Sequence, residues 1–292
     1  MSAARLLTAM ITPYDSEQRV NYARAGELAE YLCKNGSEGI VVCGTTGESP
    51  VLTAGEKLRL YATVNERVGD RVQVWAGTGS NSTAASLELS REAEKLGVYG
   101  IMLVTPYYNK PSQEGLYSHF RHIAEGVSCP VMVYNVPGRT AANLLPETVA
   151  RLAEIDNIVA VKEASGSMDQ VSLLKNLVPE DFLVYSGDDS LTLPLLALGA
   201  AGVVSIASHL VGNEMRKMME AFFAGDVLTA TRIHLRLFQL FRGLFITSNP
   251  VPLKEALNML GHDVGGLRLP LTGATDAEKA QIREVLQNLQ LL

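Results

Sequence analysis

Short runs of apolar, β-rich residues alternate with longer segments whose apolar residues return at helical spacing, and the alternation repeats eight times before it stops near Gly225. The strand-like runs are Leu6 to Thr12, Gly39 to Gly44, Val72 to Gly77, Gly100 to Thr105, Pro130 to Asn135, Ile158 to Glu163, Phe182 to Gly187 and Gly202 to Ile206. Segments such as Thr83 to Leu96 and Ser112 to Val127 carry the helical period between them. Eight strands that each need a crossover connection point to parallel pairing with both faces buried. Closed on themselves, such units make an α/β fold, the (β/α)8 TIM barrel. A doubly wound open sheet is the competing architecture, but its glycine-rich G-x-G-x-x-G first turn is missing from the start of the chain. Beyond Gly225 three helical stretches remain, Asp226 to Leu244, Pro250 to Leu260 and Asp276 to Leu289, and Pro250 and Pro252 suit the first turn of the second. We expect residues 1–224 to form the barrel and residues 225–292 a C-terminal helical extension that packs on it.

Barrel chemistry sits at the carboxy-terminal ends of the strands, and the unusual residues fall there. The sixth run, Asn157-Ile158-Val159-Ala160-Val161-Lys162-Glu163-Ala164-Ser165, carries a lysine that strand packing does not ask for. One reading is a strand-end lysine that reaches solvent and pairs with Glu163. The other is a buried lysine, whose desolvation lowers its pKa and raises the fraction of neutral amine able to attack a ketone. After the second strand, Gly44-Thr45-Thr46-Gly47-Glu48-Ser49 brackets two hydroxyls with glycines. That is either a tight turn or a set of backbone N–H groups suited to a carboxylate or phosphate. After the fourth, Thr105-Pro106-Tyr107-Tyr108-Asn109-Lys110-Pro111 holds two tyrosines between prolines that limit where the phenols point.

The fifth strand ends Tyr134-Asn135-Val136-Pro137-Gly138-Arg139-Thr140. Alternation places Tyr134 with Met132, and Lys162 with Ala160. If both faces line the barrel interior, a phenol and an amine meet at the top of neighbouring strands. Arg139, just beyond, could clamp a carboxylate through two parallel hydrogen bonds.

Composition narrows the classes. Hydrophobic residues make up 47% of the 292 and charged residues 19%, which fits a folded chain with a large core rather than a disordered one. A net charge of -6 with Lys and Arg dispersed argues against nucleic acid as a partner. No apolar run approaches the ~20 residues of a membrane span. Met1-Ser2-Ala3-Ala4-Arg5 lacks the apolar core of a leader, so a cytoplasmic location is expected. Cys33, Cys43 and Cys129 are far apart and read as reduced thiols, with Cys43 a small residue of a buried strand. His119 and His122 are the only closely spaced histidines and read as a surface helix face, not a metal site.

Taken together, the motifs at Gly44 to Ser49, Thr105 to Pro111, Tyr134 to Thr140 and Lys162-Glu163-Ala164 resemble the dihydrodipicolinate synthase family, within the pyruvate-dependent class I aldolase and N-acetylneuraminate lyase superfamily. The likeness runs from the first strand into the C-terminal helices. The superfamily shares the barrel, a G-[ST]-T-G-E turn, the tyrosine and the lysine; the arginine is more selective and favours the synthase. The resemblance implies that Lys162 forms a Schiff base with pyruvate, whose carboxylate is held at Thr45 and Thr46. Loss of a methyl proton gives an enamine that attacks the aldehyde of aspartate semialdehyde, and the amine of that second substrate closes the ring as Lys162 is released. Tyr134 matches the family's general acid and base, with Thr45 and Tyr108 completing a proton relay; Tyr108 would come from a neighbouring subunit. Arg139 matches the residue that binds the semialdehyde carboxylate, and Gly187 and Ile206 match positions lining the pyruvate pocket. No metal or organic cofactor is implied, and a homotetramer built as a dimer of dimers is.

The rival within the superfamily is an aldolase acting on a sugar acid such as N-acetylneuraminate or 2-keto-3-deoxygluconate, against which Arg139 speaks. A noncatalytic paralogue would usually have lost Lys162, Tyr134 or a relay residue. Family members inhibited by lysine carry histidines and a glutamate around an interface pocket. Here Ser49, Asn81 and Tyr107 match that pocket, but the remaining positions are Pro50, Ala54, Lys57 and Ala85. Without a carboxylate at Ala85, and with Lys57 repelling an ammonium, weak or absent feedback inhibition by lysine is expected.

Overall fold

The β-branched runs become strands because parallel pairing with helices outside lets every side chain find apolar contact. In the computed structural model, which describes residues 4–292, β1 (Leu6–Ala9), β2 (Gly39–Val42), β3 (Gln73–Gly77), β4 (Gly100–Val104), β5 (Val131–Asn135), β6 (Ile158–Glu163), β7 (Leu183–Ser186) and β8 (Gly202–Ser205) close in sequence order. All pairs are parallel, and β1 meets β8 through Leu7 and Val204. The closed sheet excludes the doubly wound alternative. Met1, Ser2 and Ala3 of the leader argument lie outside the described residues. Among the described residues no helix is long and apolar enough to cross a membrane.

Around the barrel run α1 (Tyr22–Lys34), α2 (Ala54–Val68), α3 (Thr83–Lys95), α4 (Gln113–Ala124), α5 (Pro137–Thr140), α6 (Pro146–Leu152), α7 (Met168–Leu177), α8 (Thr192–Ala197) and α9 (Ser208–Phe223). Three further helices follow, α10 (Val227–Gly243), α11 (Val251–Met259) and α12 (Asp276–Asn288). Helix starts are written locally. Thr53 opens α2 and Thr275 opens α12 with full capping boxes closed by Glu56 and Glu278, while Ser82, Ser112 and Ser167 cap α3, α4 and α7.

Two sequence expectations need correction. His119 is not on a surface face: it is buried on the α4 stripe with Leu116, Phe120 and Ile123, against Thr83 at 2.9 Å, and only His122 is exposed. Burial lowers its pKa to about 4, so it packs as a neutral ring. The described residues hold no cluster of His, Cys, Asp and Glu fit for a metal ion. Cys43 is buried but lies just past β2 in a left-handed conformation (φ 56°), because the chain turns one residue sooner than the apolar run suggests. Burial raises its thiol pKa to about 12, and none of the three cysteines is paired.

Candidate active site

Side-chain alternation along β6 decides what Lys162 can meet. Glu163 points to the opposite face, where its carboxylate accepts from Asn135 (3.0 Å), Gln170 (3.1 Å) and the Ser165 backbone (2.6 Å). It is therefore not the partner of Lys162, and the solvent-reaching lysine is overturned. Lys162 is only 5% exposed and stands in register between Tyr134 of β5 and Tyr185 of β7. Its Nζ lies over the Tyr134 ring, 4.3 Å from the centroid. Burial lowers its pKa to about 8, opposed by the Asp189 carboxylate and assisted by the Arg139 guanidinium.

Tyr134 is held by the strand top beside it: Thr105 donates to its carbonyl from both backbone (2.8 Å) and hydroxyl (3.0 Å). Burial raises the phenol to about 12, against smaller lowering by Arg139 and by a hydrogen bond with Thr45. In the substrate-free protein this phenol keeps its proton.

The turn after β2 is compact. Thr45 carbonyl accepts from Glu48 N–H at 3.0 Å, and Thr12 donates to the Gly47 carbonyl at 2.7 Å. A Cβ on Gly47 would lie 3.1 Å from both Cys43 Cα and the Met10 carbonyl, so the turn closes this tightly because no side chain is there. Thr46 is buried and its hydroxyl accepts from Asn249 Nδ2 at 2.9 Å.

A cavity of about 240 Å³ opens at this rim, walled among others by Thr45, Ser49, Tyr107, Tyr134 and Arg139. Lys162, Thr46, Gly187 and Ile206 are not on its wall; Lys162 adjoins it through its contact with Tyr134, and Gly187 lies against Lys162. Gly187 matters there by what it lacks. A Cβ at that position would come within 2.6 Å of Ala164 Cβ and 3.2 Å of Lys162 Cε. Ile206 donates its N–H to Asp189 Oδ2 at 3.2 Å, and its carbonyl meets His209 Nδ1 at 2.9 Å. Tyr108 stands apart from its own chain's site: it is 89% exposed, with φ at 73°, while Tyr107 faces the cavity.

Three residues of this region escaped sequence reasoning. Asp189, 2% exposed, accepts from the Ile206 and Ala207 backbone, and its Oδ1 has no hydrogen-bond partner among the described residues. A polar run at a strand end, Ser186-Gly187-Asp188-Asp189, was the signal available. Asn249 reaches Thr46 from the far end of the chain. Lys254 of α11 makes an ion pair of 2.7 Å with Glu48, both almost fully buried. No local pattern announces either pair.

The chain matches the Dihydrodipicolinate synthetase family over residues 2–289. It is 57% identical over 291 residues to the 4-hydroxy-tetrahydrodipicolinate synthase of Heliobacterium modesticaldum, covering 100% of this chain and 97% of that one. The dihydrodipicolinate synthase structure from Bacillus anthracis superposes with a TM-score of 0.96 at 49% identity, over 98% of this chain and 99% of that one. The lysine-bound structure from Cyanidioschyzon merolae gives 0.98 at 46% identity, over 99% of both chains.

Proposed function

This chain belongs to the dihydrodipicolinate synthetase family, and on that premise we propose that it is a 4-hydroxy-tetrahydrodipicolinate synthase, a lyase condensing pyruvate with L-aspartate 4-semialdehyde in the diaminopimelate route to lysine. The observation that carries the chemistry is Lys162: buried, unpaired with Glu163, with its amine over the Tyr134 ring. Its amine nitrogen attacks the pyruvate ketone and water leaves, giving the iminium. A methyl proton passes into the relay of Tyr134, Thr45 and Tyr108 to form the enamine, and that carbon bonds to the aldehyde carbon of the semialdehyde while Tyr134 returns a proton to the new hydroxyl. The semialdehyde amine then attacks the iminium carbon and expels Lys162, closing the ring. One water is released overall.

In this reading Thr45 and Thr46 hold the pyruvate carboxylate, Arg139 holds the second carboxylate, Gly187 and Ile206 shape the pocket, and Tyr108 reaches the site of a neighbouring subunit in a tetramer built as a dimer of dimers. The Tyr134–Arg139 wall around one cavity supports the synthase over a sugar-acid aldolase, whose substrate needs hydroxyl partners more than a second carboxylate clamp. No metal or organic cofactor enters this scheme.

Borohydride reduction with pyruvate, followed by intact-mass analysis, is the test, run beside a coupled assay with aspartate semialdehyde and a reductase that consumes the product. An adduct on Lys162 with turnover is expected; an adduct without turnover would favour the sugar-acid aldolase, and no adduct would end the proposal. At the effector pocket, exposed Ala85 offers no carboxylate and Lys57 adds a cation. Activity is expected to be unchanged by submillimolar lysine, and dose-dependent inhibition in the same assay would refute that expectation.

A further inference from the structure

The two carboxylate subsites of the proposed reaction are joined by one residue from outside the barrel. Asn249, 5% exposed, donates from Nδ2 to Thr46 Oγ1 at 2.9 Å. Its backbone carbonyl accepts from Arg139 Nη2 at 3.3 Å. Thr46 belongs to the turn assigned to the pyruvate carboxylate, and Arg139 is assigned to the carboxylate of the second substrate.

We propose that Asn249 is a positioning residue that preorganises the two carboxylate subsites together, so that each substrate meets its partners already in place. The inference rests on the synthase reading. Its geometry is fixed at both ends. On the turn side, Glu48, which follows Gly47 with φ at 56°, is paired with Lys254 at 2.7 Å and accepts from Arg268 N–H at 3.0 Å. On the helix side, Lys254 lies early in α11, just after Asn249, and donates to the Gly266 carbonyl at 2.7 Å while its Nζ sits 4.1 Å from the Tyr14 ring centroid. The segment carrying Asn249 is thus anchored to the turn it touches.

A second observation points the same way. Asn249 Oδ1 is buried and has no hydrogen-bond partner among the described residues. An orphan amide oxygen costs free energy, and next to a substrate hydroxyl or ammonium it would gain a donor that the protein does not supply. A residue kept only to staple the extension to the barrel would have no use for that open acceptor.

Steady-state kinetics of Asn249→Ala and Asn249→Asp test the proposal, with pyruvate affinity measured separately from the concentration dependence of borohydride-trapped adduct. One lost bond of this kind corresponds to a change of about tenfold in affinity. Asn249→Ala removes the bond to Thr46 and with it the side-chain anchor of the backbone carbonyl that Arg139 uses, so KM is expected to rise for both substrates by about that factor with kcat changed much less. Asn249→Asp keeps the shape but sets a negative charge beside two carboxylate subsites, so its KM values are expected to exceed those of Asn249→Ala, with Tm measured on both variants to separate this from the cost of a buried charge. Unchanged KM values in both variants, a rise for one substrate alone, or a fall in kcat that merely follows a lowered Tm would overturn it. Failure of the synthase reading is separate: the wild type itself would then show no adduct or no turnover.

Discussion

Lys162 shows how much one buried charge decides. A drop from 10.5 to about 8 raises the neutral fraction at neutral pH roughly 300-fold, to about a tenth of the molecules. The lowered value means that the neutral, attacking form grows as pH rises through about 8, so adduct formation with pyruvate alone should accelerate over that window and level off above it. Asp189 raises this pKa and Arg139 lowers it. Asp189→Asn should therefore move the midpoint to lower pH, and Arg139→Gln should move it to higher pH. The rate of borohydride-trapped adduct against pH reads both, and shifts of the same sign in the two variants would contradict the electrostatic account. Gly187→Ala tests shape at the same lysine. With its new methyl within 2.6 Å of Ala164 Cβ and 3.2 Å of Lys162 Cε, it should slow trapping by about tenfold or more through misplacement of the amine.

At the scale of elements, the turn after β2 depends on α11. The pair of Glu48 and Lys254 is almost fully buried, burial lowers Lys254 to about 8 while Glu48 opposes that shift, and truncating one member strands the other charge. Lys254→Met alone should cost about 3–5 kcal/mol of stability, and Glu48→Gln with Lys254→Met together should cost much less than the sum of the singles. Denaturant midpoints on the three variants measure this, and additivity would mean that the two charges do not act as a pair. The same elements show what a sequence can and cannot disclose. The eight strands, and the meeting of Tyr134 with Lys162 at their tops, were legible because period-2 alternation and register are properties of neighbouring residues. Lys254 was not, since one lysine in a helix of this composition reads as a solvent-facing side chain. Only the fold reveals that its stem ends against Glu48, some two hundred positions earlier in the chain. Asn249 was hidden for the same reason, and His119 was misplaced because its apolar neighbours at i-3, i+1 and i+4 outweigh its own polarity.

For the whole molecule, the question is where Tyr108 does its work. The loop from Thr105 to Pro111 carries two adjacent tyrosines that part company: Tyr107 joins the cavity wall, and Tyr108 is 89% exposed with a left-handed backbone. An L-residue with a ring held at positive φ on the surface is unfavourable by itself, and Asn109, bonded through Nδ2 to the Asn81 carbonyl at 2.9 Å, helps to hold the loop in place. A phenol this exposed on one chain is available to a second copy, and symmetric assembly would give each copy the same service in return. Complementation separates this from a role in cis. Lys162→Ala and Tyr108→Phe homo-oligomers should each be strongly impaired, but subunits mixed under dissociating conditions and reassembled should regain activity. A mixed dimer holds one site with an intact lysine and a tyrosine donated by the lysine-less partner. No recovery after verified subunit exchange would place Tyr108 in its own chain's chemistry or outside the reaction, and the relay would need another proton donor.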